Sequence, residues 1–256
     1  MTEVADPEDI DWSGDTVEIA GVAVADSSRS DIVDWLCTRR SPGKPLLAYA
    51  LHIGGMVHLQ DDPDYGSLLD RSAIVYADGA GPVLIGRARG GRLERSATTD
   101  LAPELLEQWK KSHGQPARVA LIGGPKDLSK AAGDALLKDE NASVVFTEHG
   151  YHDSWGSVLD ALRKSQPDIV FVGMGAPLEM QWCEAHYDLL PNSIVMTCGG
   201  WFGFLTGNET RAPAWLQRVG GEWVWRLLQN PKRLANRYFR GSAIFLRELL
   251  NRDGRA

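Results

Sequence analysis

An acidic residue directly after a short apolar segment is the first candidate for chemistry in this sequence. Asp78 follows the segment 73–77 and precedes Gly79. If that segment is a strand of a parallel sheet, its carboxyl end faces the crevice where ligands bind. A carboxylate there can act as a general base on a hydroxyl group. The alternative is that Asp78 only caps the following turn or helix, and on residue type alone the capping role is favoured.

Three glycine turns could hold a phosphate group. Gly123-Gly124, Gly175 and Gly199-Gly200 each follow an apolar segment and precede a helical pattern. Backbone N–H groups and the helix dipole at such points favour a diphosphate. None of the turns is a complete G-x-G-x-x-G motif or a P-loop, so each could equally be a tight turn that packs a helix on the sheet. Because all three would meet at one sheet edge, a nucleotide site is the favoured interpretation.

Two further pairs of polar residues are less specific. Arg95 and Asp100 could form an ion pair at a helix start, or Arg95 could bind a pyrophosphate, because a guanidinium group matches phosphate oxygens. His149 and His152 follow a strand-like segment, but two histidines without a third ligand do not make a metal site. We therefore predict no metal centre.

Strand-like and helical patterns alternate through most of the chain. This order is typical of βαβ units, so we predict an α/β fold, a Rossmann-like parallel sheet with helices on both faces. The strand-like segments are 17–25 (with a kink at Gly21), 46–51, 73–77, 118–122, 143–147, 168–174 and 193–198. The helical segments include 31–40, 83–89, 102–112, 127–139, 154–165 and 178–190.

The two ends of the chain differ from this α/β body. Residues 1–15 are acidic and polar and are predicted to be a disordered leader. The body is predicted to span 16–210. Residues 211–256 carry no strand pattern after the first few positions, so we predict a basic amphipathic helical C-terminal appendage.

The charges divide the chain in the same way. The formal net charge of −7 is the sum of an acidic body and a basic appendage. The appendage has ten Lys or Arg and three Asp or Glu, which leaves seventeen basic and thirty-one acidic residues in the remainder. An acidic body argues against nucleic acid as a partner, whereas the basic appendage points to an anionic partner.

The appendage also has an aromatic, amphipathic pattern. Apolar residues from Trp215 to Leu228 recur at spacings of three and four, with arginines between and after them. This pattern is typical of helices that lie in a membrane interface, here an anionic membrane surface. One alternative is an ordinary helical cap with solvated arginines. Another is that some arginines fold over the site and bind phosphates.

The remaining features favour a cytoplasmic protein. Its three cysteines are sparse and have no CxxC spacing, which suits a reducing compartment. The N-terminus lacks the pattern of a signal peptide. No apolar run reaches the roughly 18 residues needed to span a bilayer. We therefore expect a cytoplasmic protein that can bind peripherally to the inner face of the cell membrane.

Motifs along nearly the whole chain resemble those of the WecG/TagA/CpsF glycosyltransferases, glycosyltransferase family 26. The matching segments of the body are ADGAGPV (77–83), ER (94–95), DL (100–101), LIGGP (121–125), HGY (149–151), PDIVFVGMGAP (167–177), Trp182 and GGWFGFLTG (199–207). Those of the appendage are RAPAW (211–215), GEWVWRLLQNPKR (221–233) and RY (237–238). The appendage segments are the most specific, because few families combine those spacings.

This resemblance implies an inverting, metal-independent glycosyltransferase of cell-surface polysaccharide synthesis. It would move a sugar such as N-acetylmannosamine from a UDP-sugar to a polyprenyl-diphosphate-linked acceptor. Asp78 corresponds to the proposed base of the family, and Arg95 to an arginine downstream of it. No cofactor is expected besides the UDP-sugar substrate, and a homo-oligomer is left open. The candidate substrate-binding residues are His52, Gly79, Asp100, Gly123, Gly124, Gly175, Pro177, Glu179, Gly200, Arg211, Arg226, Arg233 and Arg237.

Three positions depart from the family pattern. Residues 50–52 are Ala-Leu-His where the family has Thr-x-Asn, and residues 178–180 are Leu-Glu-Met where it has Lys-Gln-Glu. Gly203 replaces the Asp of the family segment G-G-x-F-D. These changes leave two other functions open. One is a UDP-sugar transferase with a soluble small-molecule acceptor, and the other is an inactive sugar-nucleotide-binding protein on the membrane.

Overall fold

The computed structural model describes residues 11–38, 43–213, 216, 221–229 and 231–251. A six-stranded parallel sheet with the order β4-β3-β8-β7-β5-β6 lies at its centre, with helices on both faces. The strands are β1 (Thr16–Ile19), β2 (Val22–Ala25), β3 (Leu46–Leu51), β4 (Ile74–Ala77), β5 (Ala117–Gly123), β6 (Ala142–Glu148), β7 (Ile169–Gly173) and β8 (Ile194–Thr197). The helices are α1 (Arg29–Thr38), α2 (Ile53–Asp61), α3 (Pro63–Asp70), α4 (Ala80–Ala88), α5 (Thr98–His113), α6 (Leu128–Leu136), α7 (Gly156–Lys164), α8 (Leu178–Ala185), α9 (Trp201–Leu205), α10 (Glu222–Gln229) and α11 (Pro231–Leu250).

The strands of the large sheet are apolar on both sides, so both faces are covered. All residues of β3 and of β7 are buried. One face packs against α1, α5, α6 and α9, and the other against β1, β2, α2, α3, α4 and α8. Strands buried on both faces form continuous apolar runs in the sequence. The predicted ends of these six strands therefore agree with the structure to within one residue.

The segment 17–25, predicted as one kinked strand, is instead a β-hairpin. β1 and β2 pair antiparallel from Thr16–Ala25 to Ile19–Val22. Ala20 and Gly21 make the turn, with φ angles of +51° and +82°. A two-residue hairpin turn of this kind needs positive φ at both positions. The prediction was wrong because the apolar alternation continues through the turn and Gly21 gave the only sign of a break.

The ends of the helices differ more from the predictions than the strands do. α5 begins at Thr98, one turn before the predicted start near Ala102. Proline is most common at the first position of a helix, which favours a start near Pro103. In the structure Pro103 lies inside the helix, so the predicted start is too late. α8 ends at Ala185 and a short 3₁₀ turn follows, so it is shorter than the predicted 178–190.

Part of the predicted disordered leader contacts the body. Residues 1–10 lie outside the described residues. Trp12, however, stacks edge-on against Trp35 of α1 with the ring centroids 5.5 Å apart. Its backbone N–H donates to the carbonyl of Ala73 at 2.7 Å. Ordered structure therefore begins before residue 16, because a tryptophan side chain gains from burial against the core.

The appendage packs directly on the body. α11 contacts α2 and α4, and a Cβ atom added at Gly241 would lie only 2.8 Å from Cγ1 of Ile53. Ile244 joins the same apolar layer as α2 and α4. Glu248 and Arg89, the residue after α4, form a buried ion pair at 2.8 Å. The predicted boundary at residues 210 and 211 stays a prediction, but α11 shares its core with the body.

The outer face of α11 is apolar. Phe239, Leu246 and Leu250 lie on one side of the helix and are 78%, 55% and 82% exposed. Leu228 of α10 is 71% exposed. We call Phe239, Leu246 and Leu250 the outer stripe. In the part of the chain that the structure describes, no helix combines the length and the apolar character needed to cross a membrane.

Candidate functional site

The carboxyl ends of the parallel strands open into a cavity of about 390 Å³. This volume lies within the range of pockets that bind small ligands. Strand ends of the sheet form its floor, and the first turn of α5 and two residues of the appendage form parts of its wall. The lining residues considered below are Ala50, His52, Asp78, Thr98, Thr99, Gly124, Gly175, Glu179, Thr197, Cys198, Gly200, Glu209, Gln229 and Tyr238.

Asp78 lies in this lining, directly after β4. Its backbone N–H donates to the carbonyl of Leu51 at 2.8 Å, which fixes it beside the end of β3. The cap position of α4 belongs to Gly79, whose φ of +91° suits glycine. The half-buried carboxylate of Asp78 is therefore one residue before the cap and borders the cavity. A hydroxyl group of a ligand in the cavity is within its reach.

His52 begins α2 on the same side of the cavity. Its Nδ1 accepts a hydrogen bond of 2.8 Å from the N–H of Gly55, so His52 caps the helix. In the neutral ring this places the proton on Nε2, because Nδ1 acts as the acceptor. His52 is therefore held in a fixed orientation at the cavity wall. Ala50, two residues earlier, adds only a methyl group to the lining.

The glycine turn after β5 has a clear structural reason. A Cβ atom at Gly123 would lie 2.4 Å from the carbonyl oxygen of Gly173, so only glycine allows β5 and β7 to approach this closely. The N–H of Gly124 donates to the same carbonyl at 2.9 Å. Close strand packing therefore explains Gly123, whereas Gly124 has a φ of +68° and a Cβ atom there would lie 2.7 Å from Cδ2 of Leu128. Gly124 also lines the cavity, where its turn can contact a ligand.

Glu179 joins the turns after β7 and β8. It is 3% exposed, and its Oε2 accepts three backbone hydrogen bonds. The donors are the N–H groups of Met174 at 3.2 Å, Gly175 at 2.9 Å and Gly199 at 3.1 Å. A phosphate could use the Gly175 amide only by displacing this carboxylate. Glu179 thus acts as an internal anion that holds two turns of the cavity floor, and Pro177, which precedes α8, is not among the lining residues.

In the first turn of α5, the sequence indicated Asp100 but not the two threonines before it. Thr98 and Thr99 line the cavity, where the positive end of the helix dipole favours an anion. Among the described residues, the hydroxyl groups of Thr99 and Thr197 are buried without a hydrogen-bond partner. Buried hydroxyl groups normally have partners, so a ligand is the expected one here. The missed helix start hid this feature, since a helix beginning at 102 keeps both threonines away from its first turn.

Asp100 connects two arginines beside that turn. Its Oδ2 accepts from Arg95 at 2.5 Å, and its two oxygens accept from Arg211 at 2.7 and 3.2 Å. Neither arginine is among the residues that line the cavity. The two guanidinium groups thus meet at one carboxylate in the first turn of α5. Of the two roles that the sequence leaves open for Arg95, the structure contains the ion pair with Asp100, and the phosphate contact stays a prediction.

Two appendage residues reach the cavity. Gln229 of α10 and Tyr238 of α11 line it, and Gln229 Nε2 donates to the hydroxyl and the carbonyl of Thr210 at 2.9 and 3.1 Å. The side chains of Arg226, Arg233 and Arg237, predicted to bind the substrate, lie outside the described residues. The described appendage therefore contributes an amide and a phenol to the site.

Cys198 lines the cavity but is unsuited to nucleophilic chemistry. Burial, with the nearby Glu179 carboxylate as a second cause, raises the pKa of its thiol well above the usual range. A thiol must lose its proton to act as a nucleophile. Covalent catalysis through Cys198 is therefore disfavoured.

Glu148 lies beside His149 and His152 at the end of β6 and offers a third candidate metal ligand. Glu148 Oε1 lies 3.7 Å from Nε2 of His149 and 3.3 Å from Nε2 of His152, so the three side chains could meet one cation. The two rings are stacked, with an interplanar angle of 2° and centroids 4.0 Å apart. Parallel rings direct their in-plane lone pairs side by side, so a ring must rotate before both could bind one ion. The prediction that the protein needs no metal stays a prediction.

Comparisons with known proteins give one consistent result. The model of the glycosyl transferase WecG/TagA/CpsF family matches residues 17–255. The N-acetylglucosaminyldiphosphoundecaprenol N-acetyl-beta-D-mannosaminyltransferase of Bacillus subtilis (strain 168) is 32% identical over 174 residues, which are 67% of this chain and 67% of the relative. The protein of the same name from Bacillus spizizenii (strain ATCC 23059 / NRRL B-14472 / W23) is 30% identical over 174 residues, which are 67% of this chain and 66% of that relative. The alignments thus span about two thirds of each relative.

Proposed function

Because the chain belongs to the WecG/TagA/CpsF family of glycosyltransferases, we propose that it transfers an N-acetylmannosamine-like sugar from UDP to a polyprenyl-diphosphate-linked acceptor. The observation that carries this proposal is the position of Asp78. Its carboxylate borders a cavity of about 390 Å³ that the first turn of α5, the positive end of that helix dipole, also lines. A base and a seat for an anionic leaving group thus share one cavity.

Asp78 is the proposed general base. The acceptor hydroxyl attacks the anomeric carbon of the donor while Asp78 takes its proton. The new bond joins the acceptor oxygen to that carbon, and the bond from the carbon to the diphosphate oxygen breaks with its electron pair. A single displacement of this kind inverts the anomeric configuration. Proton transfer by a positioned carboxylate contributes about 10²–10⁴-fold to a rate.

The first turn of α5 is the proposed seat of the diphosphate. The amides of Gly124, Gly175 and Gly199 already donate within the protein, so they are poor candidates for the main phosphate contacts. The start of α5 adds a helix dipole and the unpartnered hydroxyl of Thr99. In many enzymes, preformed hydrogen-bond donors at the point where charge develops make the largest single contribution to the rate enhancement.

We propose that cationic side chains, and not a metal ion, stabilise the charge on the UDP leaving group. Arg95 and Arg211 both donate to Asp100 in the first turn of α5. Charge that develops on the departing UDP can be stabilised by these groups. We expect that a chelator leaves turnover unchanged. Turnover that falls with EDTA and returns with added divalent cation contradicts this, and a His149→Ala variant then tests the Glu148 cluster as the cation site.

The outer stripe is proposed to contact the membrane that contains the acceptor. Phe239, Leu246 and Leu250 face outward on a helix whose other face is anchored to the body. The appendage sequence is strongly basic, and basic groups next to apolar ones favour anionic membranes. Because α10 and α11 also line the cavity, a lipid-linked acceptor would meet the site near its membrane contact.

Release of UDP from defined substrates tests the proposed function. Purified protein receives UDP-N-acetylmannosamine together with N-acetylglucosaminyl-diphospho-lipid in anionic vesicles, and the lipid product is identified by mass spectrometry. We expect UDP release that depends on both substrates and a lipid-linked disaccharide. No detectable UDP binding would contradict the proposed function. Binding without turnover on this lipid, but with turnover on soluble acceptors, would move the acceptor to a small molecule.

A further inference from the structure

A carboxylate lies over Gly203, the position where the resembling family carries an aspartate. A Cβ atom added at Gly203 would lie 3.1 Å from Cγ and 3.4 Å from Cδ of Glu209. A Cβ atom at Gly200 would lie 3.6 and 3.8 Å from the two oxygens of the same carboxylate. The space of the missing aspartate side chain is thus occupied by Glu209, six residues further along the chain.

The chain path after α9 brings Glu209 to this place. α9 ends at Leu205, and Gly207 reverses the chain with a φ of +74°. The N–H of Glu209 then donates to the carbonyl of Gly203 at 2.9 Å. Thr206 supports the turn, since its hydroxyl donates to the carbonyl of Phe202 at 3.0 Å. The position of Glu209 is therefore fixed by backbone hydrogen bonding, and its half-buried side chain lines the cavity.

We propose that Glu209 supplies the cavity carboxylate that Gly203 lacks, and that it binds the ribose hydroxyl groups of the UDP donor. This inference rests on the proposed function. A carboxylate can only accept hydrogen bonds. The part of the ligand beside Glu209 must therefore carry hydrogen-bond donors, which a phosphate lacks. Two adjacent ribose hydroxyl groups meet this condition.

The sheet order assigns the nucleoside, and not the transferred sugar, to this corner. Asp78 follows β4, whereas Gly200 and Gly203 follow β8, and β3 lies between these two strands. Two strand spacings separate the sites by roughly 10 Å. With the anomeric carbon near Asp78, a diphosphate lies between the reacting carbon and Glu209. The nucleoside is the portion of the donor that extends to this distance.

Moving the carboxylate between the two positions tests this assignment. The protein variants are Glu209→Ala, Gly203→Asp and the double variant Gly203→Asp/Glu209→Ala, with Glu140→Ala as an exposed control. UDP affinity is measured by calorimetry. We expect Glu209→Ala to weaken UDP binding about tenfold or more, because it removes hydrogen bonds to a charged group. Gly203→Asp alone should also weaken it, since the new side chain collides with Glu209, and the double variant should recover most of the affinity.

Two comparisons identify the bound group. The wild type should prefer UDP to 2′-deoxy-UDP, and Glu209→Ala should lose this preference. A Glu209→Ala protein that binds UDP as tightly as the wild type overturns the assignment, and so does a loss that affects UDP-sugar but not UDP. A wild type without UDP affinity overturns the proposed function itself, and this result is distinct because no variant is needed to see it.

Discussion

The carboxylate of Asp100 accepts from both terminal nitrogens of Arg211, at 2.7 and 3.2 Å. These two residues join different parts of the molecule. Asp100 lies in the first turn of α5, and Arg211 is the first residue of the predicted appendage. When a guanidinium group donates to a carboxylate through two of its nitrogens, the relative orientation and the distance of the two side chains are both fixed. The same carboxylate also accepts from Arg95, so one acidic residue orders two cations beside the proposed diphosphate seat.

Replacing Asp100 should therefore loosen both arginines. We expect Asp100→Ala to lower the free energy of unfolding by about 1–3 kcal/mol, the range for hydrogen bonds to charged groups. Turnover should fall by about tenfold or more, because the arginines no longer meet the developing charge in a fixed position. Urea unfolding and UDP-release rates measure these effects. The control is Glu107→Ala on the exposed side of α5, and equal rates for the two variants would count against this role of Asp100.

Asp78→Asn isolates the proposed proton transfer. The amide keeps the size of the side chain but cannot take a proton from the acceptor. We expect kcat to fall by about 10²–10⁴-fold while UDP affinity stays within a few-fold. Steady-state kinetics and calorimetry give the two values. Asp160→Asn, an exposed carboxylate on α7, should change neither value. A fully active Asp78→Asn protein excludes Asp78 as the base.

Glu179 should be needed for stability more than for binding. Glu179→Ala leaves three N–H groups of the cavity floor without their acceptor, and each unsatisfied buried group costs about 1–3 kcal/mol. We expect Glu179→Gln to cost much less, because one amide oxygen can accept the same three bonds. Urea unfolding of both variants tests this difference. If the two variants unfold alike, the three backbone contacts contribute little.

The outer stripe should determine membrane binding. Replacing Phe239, Leu246 and Leu250 together with serine removes the apolar surface that would enter the interface. Burying one large apolar side chain is worth about 1.5–3 kcal/mol, so the bound fraction on anionic vesicles should fall at least about tenfold. Flotation with phosphatidylglycerol vesicles measures it, and Leu137→Ser, an exposed leucine after α6, is the control. A wild type that stays with the soluble fraction would contradict the membrane contact.

The buried pair of Arg89 and Glu248 should anchor α11. Removal of one partner leaves the other charge buried and typically costs about 3–5 kcal/mol. We therefore expect Glu248→Ala to detach the helix and to make it sensitive to limited proteolysis. Arg240→Ala breaks the exposed pair between Arg240 of α11 and Asp61 of α2 and should have little effect. Equal protease sensitivity of the two variants would show that Ile244 and its apolar contacts hold the helix instead.

The sheet could be predicted from the sequence because its strands are apolar on both faces. The position of Asp78 at the carboxyl end of its strand could be predicted from the same pattern. The remaining parts of the site depend on geometry that periodicity does not encode. The start of α5 decides whether Thr98 and Thr99 face the cavity, and Pro103 hid it. Glu209 reaches the cavity only through the chain reversal at Gly207, and Glu179 is recognised as a backbone acceptor only when three separate amides are seen to converge on it.

The close contact of Gly241 with Ile53 also has a consequence for how far the site stands from a bilayer. Ile53 begins α2 next to His52 in the cavity wall, and Gly241 lies between Phe239 and Leu246 on α11. If the outer stripe lies on a lipid surface as proposed, the packing of α11 on α2 and α4 sets the distance between the cavity and that surface. A valine side chain at position 241 would collide with Ile53 and push α11 away from α2. An acceptor with a short lipid stem should then lose reactivity before a soluble acceptor does.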